Sequence, residues 1–526
     1  SSLPAACKFL SPPLKQTTPS RSQAMSLASK KPVPIETSQL TGLSQLTLQT
    51  SSDGSPIAEE DVKAAPGGPS LLSKCVAEFV GTYLLVLTVG CNVLSGNAVW
   101  AGVSIGCVLM VAIFSLGKIS GANFNPAVSI TLGITKLLGG PGLDMATVGI
   151  YIAVQIIAGI AAALSYSAIF MMDTFNLAPA KGFSWWQAGL CEVLYTFMLC
   201  FVVLNVAAAK KYAKEGNQWY GLSIGFVIVA GAYGAGAVSG GCFNPAVAIG
   251  IDTSSILIGW GWCLLYMVFE LVGAVLAAVL FMVVRPGDFT DEEDTEAKPS
   301  MPQKLTSEFL GTFMLVLTVG LNVLGRSPAG AFSIAASLMC MIYALGDVSG
   351  AHFNPAVTLA IFIKGFDEDL TAKMMSLYML VQIVGGVTAA FVYSAIYSGQ
   401  AFALGPQGEH FWIEAAAAEI VFTAVLCLVV MAVACSEKTK STSMFGLAIG
   451  SCVTVGGFAI GGVSGGSLNP AVSFGIAAVW APHGGKFYEA LLYTAFEFVG
   501  ACTAAGILTV THGSNSKETG ESDHLA

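Results

Sequence analysis

The sequence predicts an all-α membrane protein: two fused six-span bundles, twelve crossings in all, each bundle carrying two re-entrant half-helices. Three observations carry this expectation. First, the 526 residues are 54% hydrophobic and only 10% charged, with mean hydropathy +0.73, whereas a soluble domain carries about a quarter charged residues. Second, twelve apolar stretches reach the roughly 20 residues needed to cross a bilayer. Third, a nine-residue pattern occurs four times: SGANFNPAV at Ser120–Val128, SGGCFNPAV at Ser239–Val247, SGAHFNPAV at Ser349–Val357 and SGGSLNPAV at Ser464–Val472. Repetition at this spacing sets the architecture before any single residue does.

Residues 1–71 are rich in Ser, Thr, Pro and Gln, and Lys8, Lys15, Arg21, Lys30 and Lys31 precede the first acid, Glu36. That order is similar to an organelle transit segment, but the composition reads as a disordered cytosolic tail. The first channel unit is expected over 72–284, with spans near 72–94, 98–117, 145–170, 186–209, 220–238 and 257–284. An acidic, Pro-bearing linker follows at 285–304. The second unit, 305–511, has spans near 305–325, 329–346, 373–397, 412–435, 444–462 and 487–511, and 512–526 forms a C-terminal tail.

The two halves are related, since EFVGTYLLVLTVGCNVL at Glu78–Leu94 matches EFLGTFMLVLTVGLNVL at Glu308–Leu324. The quarters correspond too: Gln155 stands where Glu270 stands, and Gln382 where Glu497 stands. Three spans per quarter is an odd number, so successive quarters enter the membrane in opposite senses. The functional site of such an inverted repeat lies where the quarters meet, at mid-membrane. With the N-terminus in the cytosol, twelve basic residues outside the tails fall on the cytosolic side, from Lys118 to Lys440. Only Lys181, Arg326 and Lys486 fall on the other. The positive-inside rule therefore places both termini in the cytosol.

Each motif begins an apolar run of about half a span. Asn is a favoured helix cap and Pro a favoured first helical residue, so Asn125-Pro126-Ala127, Asn244-Pro245-Ala246, Asn354-Pro355-Ala356 and Asn469-Pro470-Ala471 read as helix starts. A loop that dips into lipid and returns as a half-helix must line a cavity or be buried in protein. Two such helices meeting tip to tip concentrate positive potential at the junction. If each Asn oxygen caps its own helix, its NH2 group is left to donate into the lumen. A water accepting from both cannot accept from its neighbours, which interrupts proton hopping.

On these motifs the chain resembles the major intrinsic protein family, the aquaporins and aquaglyceroporins, over about residues 72–511. The resemblance implies aquaporin-like six-span bundles with one pore each, and four pores per assembly, so that two fused units give a homodimer of chains in the lipid bilayer. It implies that Glu78, Glu192, Glu308 and Glu419, costly inside spans, accept hydrogen bonds from the re-entrant loops. Glu270 and Glu497 depart from the family, which has an aromatic there. Symmetry with Gln155 suggests loop bracing, and a pore-facing carboxylate is the alternative.

The family's narrowest point holds an aromatic, a His or Gly, a small residue and an Arg. Counting back from each motif puts Ile105, Ala232, Gly241 and Val247 there in the first unit, and Ile334, Gly457, Gly466 and Val472 in the second. Both filters are then wide, apolar and uncharged, and a slip of one residue would bring Tyr233 and Phe458 into the lumen. Loss of the Arg predicts a pore tolerant of glycerol, urea, ammonia or peroxide as well as water; an apolar constriction that dewets and closes is the alternative. His352, two residues before Asn354, reads as a passive lining of the cytosolic pore mouth, with pH sensing as its alternative. Cys242 is expected to face the far side, and Gly456, Gly457, Gly461 and Gly462 to allow close helix packing.

Other classes of function fit less well. No basic stripe suits nucleic acid. Thirteen scattered cysteines without a CxxC pair, and five histidines without ligand spacing, predict neither a metal nor another cofactor. No catalytic residues are expected. A twelve-span secondary transporter with one central site, and a closed-pore structural protein, are the rival readings.

Overall fold

The computed structural model describes residues 68–290 and 298–513. Most of the expected N-terminal tail, the acidic centre of the linker and nearly all of the C-terminal tail lie outside them. The first bundle comprises α1 (Leu71–Leu94), α2 (Ala101–Ser120), α3 (Pro126–Leu137), α4 (Met145–Ile169), α5 (Trp185–Val203), the short α6 (Lys210–Glu215), α7 (Tyr220–Ser239), α8 (Pro245–Ser254) and α9 (Trp262–Val284). The second comprises α10 (Met301–Leu324), α11 (Gly330–Ser349), α12 (Pro355–Lys364), α13 (Ala372–Ile396), α14 (Trp412–Val430), α15 (Phe445–Ser464), α16 (Pro470–Trp480) and α17 (Tyr488–His512). Twelve of these are long and apolar enough to cross a membrane. The half-helices α3, α8, α12 and α16 have only 10 to 12 residues each.

Two boundaries differ from expectation. Helix α10 starts at Met301, inside the stretch read as linker, because Ser300 and Gln303 form a capping box and Pro302 suits the first turn. Helix α9 starts only at Trp262, because Gly261 adopts φ +107 and ends the preceding turn. The carboxylate of Asp252 accepts from the Gly261 and Cys263 amides there, at 2.8 and 2.9 Å. Helices α5 and α14 each finish in one π-helical turn, Leu204–Ala208 and Met431–Cys435. The sequence does not signal this widening.

Small residues let the half-helices sit close to their neighbours. A Cβ on Gly159 of α4 would lie 2.4 Å from the Ala246 carbonyl oxygen, and one on Gly386 of α13 equally close to that of Ala471. Nothing larger than glycine fits at either place.

The two bundles pack side by side. Helices α5 and α7 of the first bundle lie against α10, α11 and α13 of the second. Burial follows this seam. The spans of α5 and α7 are 78% and 72% buried, while their counterparts α14 and α15 are 39% and 33% buried. Likewise α10 and α11 are 78% and 72% buried, but α1 and α2 only 39% and 28%. Each bundle thus has one covered face and one open face.

Polar contacts fix the register of the seam. Tyr195 and Thr318 hydroxyls meet at 3.0 Å, Gln187 donates to the Ile396 carbonyl at 2.7 Å, and Ser333 to that of Ala230 at 2.9 Å. At one end of the seam the Arg285 guanidinium donates to both Asp347 oxygens, at 2.6 and 3.1 Å, to Asn205 Oδ1 at 2.6 Å and to the Ala344 carbonyl at 3.1 Å.

Candidate functional site: the paired Asn-Pro-Ala junctions

Each half-helix is capped by its own asparagine. The Oδ1 atoms of Asn125, Asn244, Asn354 and Asn469 accept from the amides of Ala127, Ala246, Ala356 and Ala471 at 2.8–2.9 Å. Proline occupies the first helical turn each time. The cap turns each side-chain NH2 group away from its own helix.

The half-helices then lace together in pairs. Asn125 Nδ2 donates to the Phe243 carbonyl at 2.8 Å, and Asn244 Nδ2 returns a bond to Phe124 at 3.0 Å. In the second bundle Asn354 donates to Leu468 at 2.8 Å and Asn469 to Phe353 at 2.9 Å. The accepting residues sit at φ between +50 and +54, the left-handed region that side chains larger than glycine rarely occupy. The lacing refines the sequence expectation: one of the two N–H bonds on each Asn serves the opposite loop, leaving one for the lumen.

Acids brace the loops from behind. Glu78 accepts from the Ser120 hydroxyl, the Asn123 and Phe124 amides and Gln155 Nε2, at 2.6–3.0 Å. Glu308 has the equivalent four donors in Ser349, His352, Phe353 and Gln382, at 2.6–3.0 Å. Glu192 takes the Cys242 and Phe243 amides at 3.0 and 2.7 Å, and Glu419 those of Ser467 and Leu468 at 3.1 and 2.9 Å. Glu270 and Glu497 accept the next amide in each loop, Asn244 at 2.8 Å and Asn469 at 2.9 Å.

In each bundle two of the expected filter positions approach each other closely. A Cβ on Gly241 would lie 3.5 Å from Ala232 Cα, and one on Gly466 the same distance from Gly457 Cα. Ile334, Gly457, Gly466 and Val472 line a cavity of about 460 Å³ that runs past Asn354 and Asn469. In the first bundle Ile105 is half-buried, and Val247 is buried beside Val86 and Ala162. The Tyr233 hydroxyl donates to the Val99 carbonyl at 2.6 Å. Phe458 is 60% exposed on the outer surface of α15.

Other expectations are adjusted. Gly456 and Gly457 do have close neighbours, Leu468 Cδ1 and Ala331 Cβ, whereas a Cβ on Gly461 or Gly462 would meet nothing. Close packing thus accounts for only two of the four. His352 lines the cavity, with Nδ1 3.1 Å from the Thr358 hydroxyl and its ring edge-on to Tyr378. Cys242 is buried, with Sγ 3.4 Å from the Asn244 carbonyl.

Three features escaped the sequence reading. The residue before each Asn supplies the lacing carbonyl, a role set by its left-handed backbone. Tyr151, Tyr266, Tyr378 and Tyr493 each donate to the serine carbonyl that opens the motif, Ser120, Ser239, Ser349 or Ser464. Each lies four residues before Gln155, Glu270, Gln382 or Glu497, so a Tyr-x-x-x-Gln/Glu repeat was available as a signal. Arg326 and Gln407 line the mouth of the second lumen. Their first-bundle counterparts are Gly96 and Ala180.

Facing helix N-termini, donors aimed between them and an apolar constriction define a membrane channel, not an enzyme. The sequence profile of the major intrinsic protein family matches residues 68–281, 220–327 and 321–508. Probable aquaporin NIP4-2 of Arabidopsis thaliana is 29% identical over 270 residues, covering 49% of this chain and 88% of the relative. Aquaporin AqpM of Methanothermobacter marburgensis is 30% identical over 250 residues, covering 40% and 97%. The aquaglyceroporin structure from Plasmodium falciparum aligns at 18% identity and TM-score 0.34, over 40% of this chain and 97% of that one. The chain belongs to the major intrinsic protein family. It is an integral, multi-pass membrane channel for water and small solutes, built from repeated family domains.

Proposed function

We propose that each bundle holds its own pore, and that both pass water together with small neutral solutes of the glycerol, urea, ammonia or peroxide class. The observation that carries this reading is the union, in the second bundle, of laced Asn354 and Asn469 with a filter of Ile334, Gly457, Gly466 and Val472. Two glycines leave that constriction wide, and Val472 rather than an arginine follows its second Asn-Pro-Ala motif. The free N–H of each Asn orients a neutral molecule, while the helix dipoles disfavour cations. Units are read as 72–284 and 305–511, with both termini cytosolic as the basic residues indicate.

A homodimer with four pores follows from the faces of the fold. The open face of α14 and α15 is the counterpart of the covered face of α5 and α7, and open α1 and α2 that of covered α10 and α11. A second copy places these faces together, in the arrangement the seam already has within one chain. The test is osmotic swelling of proteoliposomes holding the full chain, with particle mass measured beforehand. We expect two chains per particle and rapid, non-saturating entry of water, glycerol and urea. Saturable, ion-coupled uptake, or no swelling at all, contradicts the proposal.

A further inference from the structure

The six buried acids behind the loops do not have equal surroundings. Glu78 and Glu308 each accept four hydrogen bonds, the fourth from a glutamine amide, Gln155 or Gln382, at 2.8 Å. In the second quarter of each bundle a carboxyl stands where that amide would be. Glu270 and Glu497 offer Oε1 to the Asn244 and Asn469 amides, and Glu497 Oε1 also takes the Ser473 hydroxyl at 3.1 Å. Their Oε2 atoms have no hydrogen-bond partner, although both side chains are fully buried.

A buried carboxylate oxygen without a donor is costly, and two ionised carboxylates side by side in lipid are costlier still. Glu192 and Glu270 hold consecutive amides of one loop, Phe243 and Asn244, and Glu419 and Glu497 hold those of Leu468 and Asn469, so each pair of carboxyls braces the same turn. The remaining titratable groups around Glu270 are Cys200 of α5, Cys242 of the loop and Tyr266 of its own helix. Around Glu497 they are Cys427 of α14 and Tyr493 of its own helix. The half-helices and their caps offer the Asn244 amide to Glu270, and the Asn469 amide and Ser473 hydroxyl to Glu497. Among the described residues no Lys, Arg or His pairs with any of the four acids.

We infer that each bundle binds one proton between its paired acids, Glu192–Glu270 and Glu419–Glu497. The protonated Oε2 of Glu270 or Glu497 donates to the neighbouring carboxylate and supplies the donor that Gln155 and Gln382 supply in the other quarters. The proton is a structural ligand of the second loop. With it, each pair carries a single negative charge, and Oε1 keeps hold of the Asn244 or Asn469 amide. Without it, two carboxylates oppose each other directly behind the asparagine that orients the solute. Glu497 is absent from the lining of the second lumen, so the proton sits behind the pore and not in it.

The inference rests on the brace and is independent of which solutes pass. Its test is infrared spectroscopy of the full chain in lipid nanodiscs at neutral pH. The carbonyl stretch of a protonated carboxyl is expected in the wild type, reduced by half in Glu270→Gln and lost in Glu270→Gln/Glu497→Gln. Glu270→Ala/Glu497→Ala, which also removes the acceptors of the Asn244 and Asn469 amides, should lose solute flux. A wild type without the band overturns the inference, whether a metal cation or nothing sits between the acids. A band that survives in the double glutamine variant overturns it equally, and neither reading requires the alanine variant to fold.

Discussion

Asn125→Asp combined with Asn354→Asp should leave a folded protein with impaired selectivity. Aspartate is as good a helix cap as asparagine, so the bonds to the Ala127 and Ala356 amides persist. What disappears is the donor. Phe243 and Leu468 each lose the bond that now reaches them at 2.8 Å, and a carboxylate oxygen is pressed against a carbonyl oxygen instead. An unmet buried acceptor costs about 1–3 kcal/mol. A barrier raised by that amount slows neutral-solute passage by about fivefold to a hundredfold. The added negative charge also offsets the positive helix termini, so proton leak should rise as solute flux falls. Stopped-flow light scattering and a trapped pH dye measure both in the same vesicles. Unchanged solute and proton fluxes would mean that the lacing does not govern the pore.

The second large effect is expected at the seam. Asp347→Ala strands the Arg285 guanidinium, whose side chain is only 9% exposed and loses two of its four bonds. Removing one partner of a buried ion pair typically costs about 3–5 kcal/mol. Lys211, 3.7 Å from Asp347 and half out in solvent, adds little to that figure. The thermal midpoint of the detergent-solubilised chain should therefore fall clearly. In Arg285→Met/Asp347→Leu, which removes both charges, most of the loss should return, because an apolar pair of similar volume often replaces a buried ion pair without penalty. If Asp347→Ala melts like the wild type, this pair does not hold the bundles together.

That seam also marks the limit of what the sequence conveys. The charge reversal is readable: Lys118 in GKISG becomes Asp347 in GDVSG in the other half. The partner is not readable, because Arg285 lies 62 residues away and meets Asp347 only once two whole bundles have docked. The spans were legible because lipid imposes length and apolarity on every crossing. The half-helices were legible because Asn-Pro is a local signal with a local consequence. Phe458 falls on the outer surface of α15 while Gly457 lines the cavity, because successive residues of a regular helix point to different faces.

What depends on two loops meeting across the membrane was hidden. The carbonyls of Phe124, Phe243, Phe353 and Leu468 became ligands of the opposite Asn through a left-handed backbone that no side chain announces. Arg326 was visible as a rare far-side cation, yet its place at the second lumen required the fold. The repeated Tyr-x-x-x-Gln/Glu pattern was written in the chain and went unread, since a tyrosine within an apolar span is ordinarily packing.

The central claim is that each half of this chain is a complete pore. Ala232→Trp is expected to fill the constriction proposed for the first bundle, and Gly457→Trp that of the second, where Gly457 lines the cavity. Glycerol flux through proteoliposomes holding equal amounts of wild type, the two single variants and the double variant tests the claim directly. Two independent pores predict partial flux in each single variant, the two partial fluxes adding to the wild-type value, and none in the double variant. A single variant that abolishes all flux, or a double variant that still conducts, would contradict it.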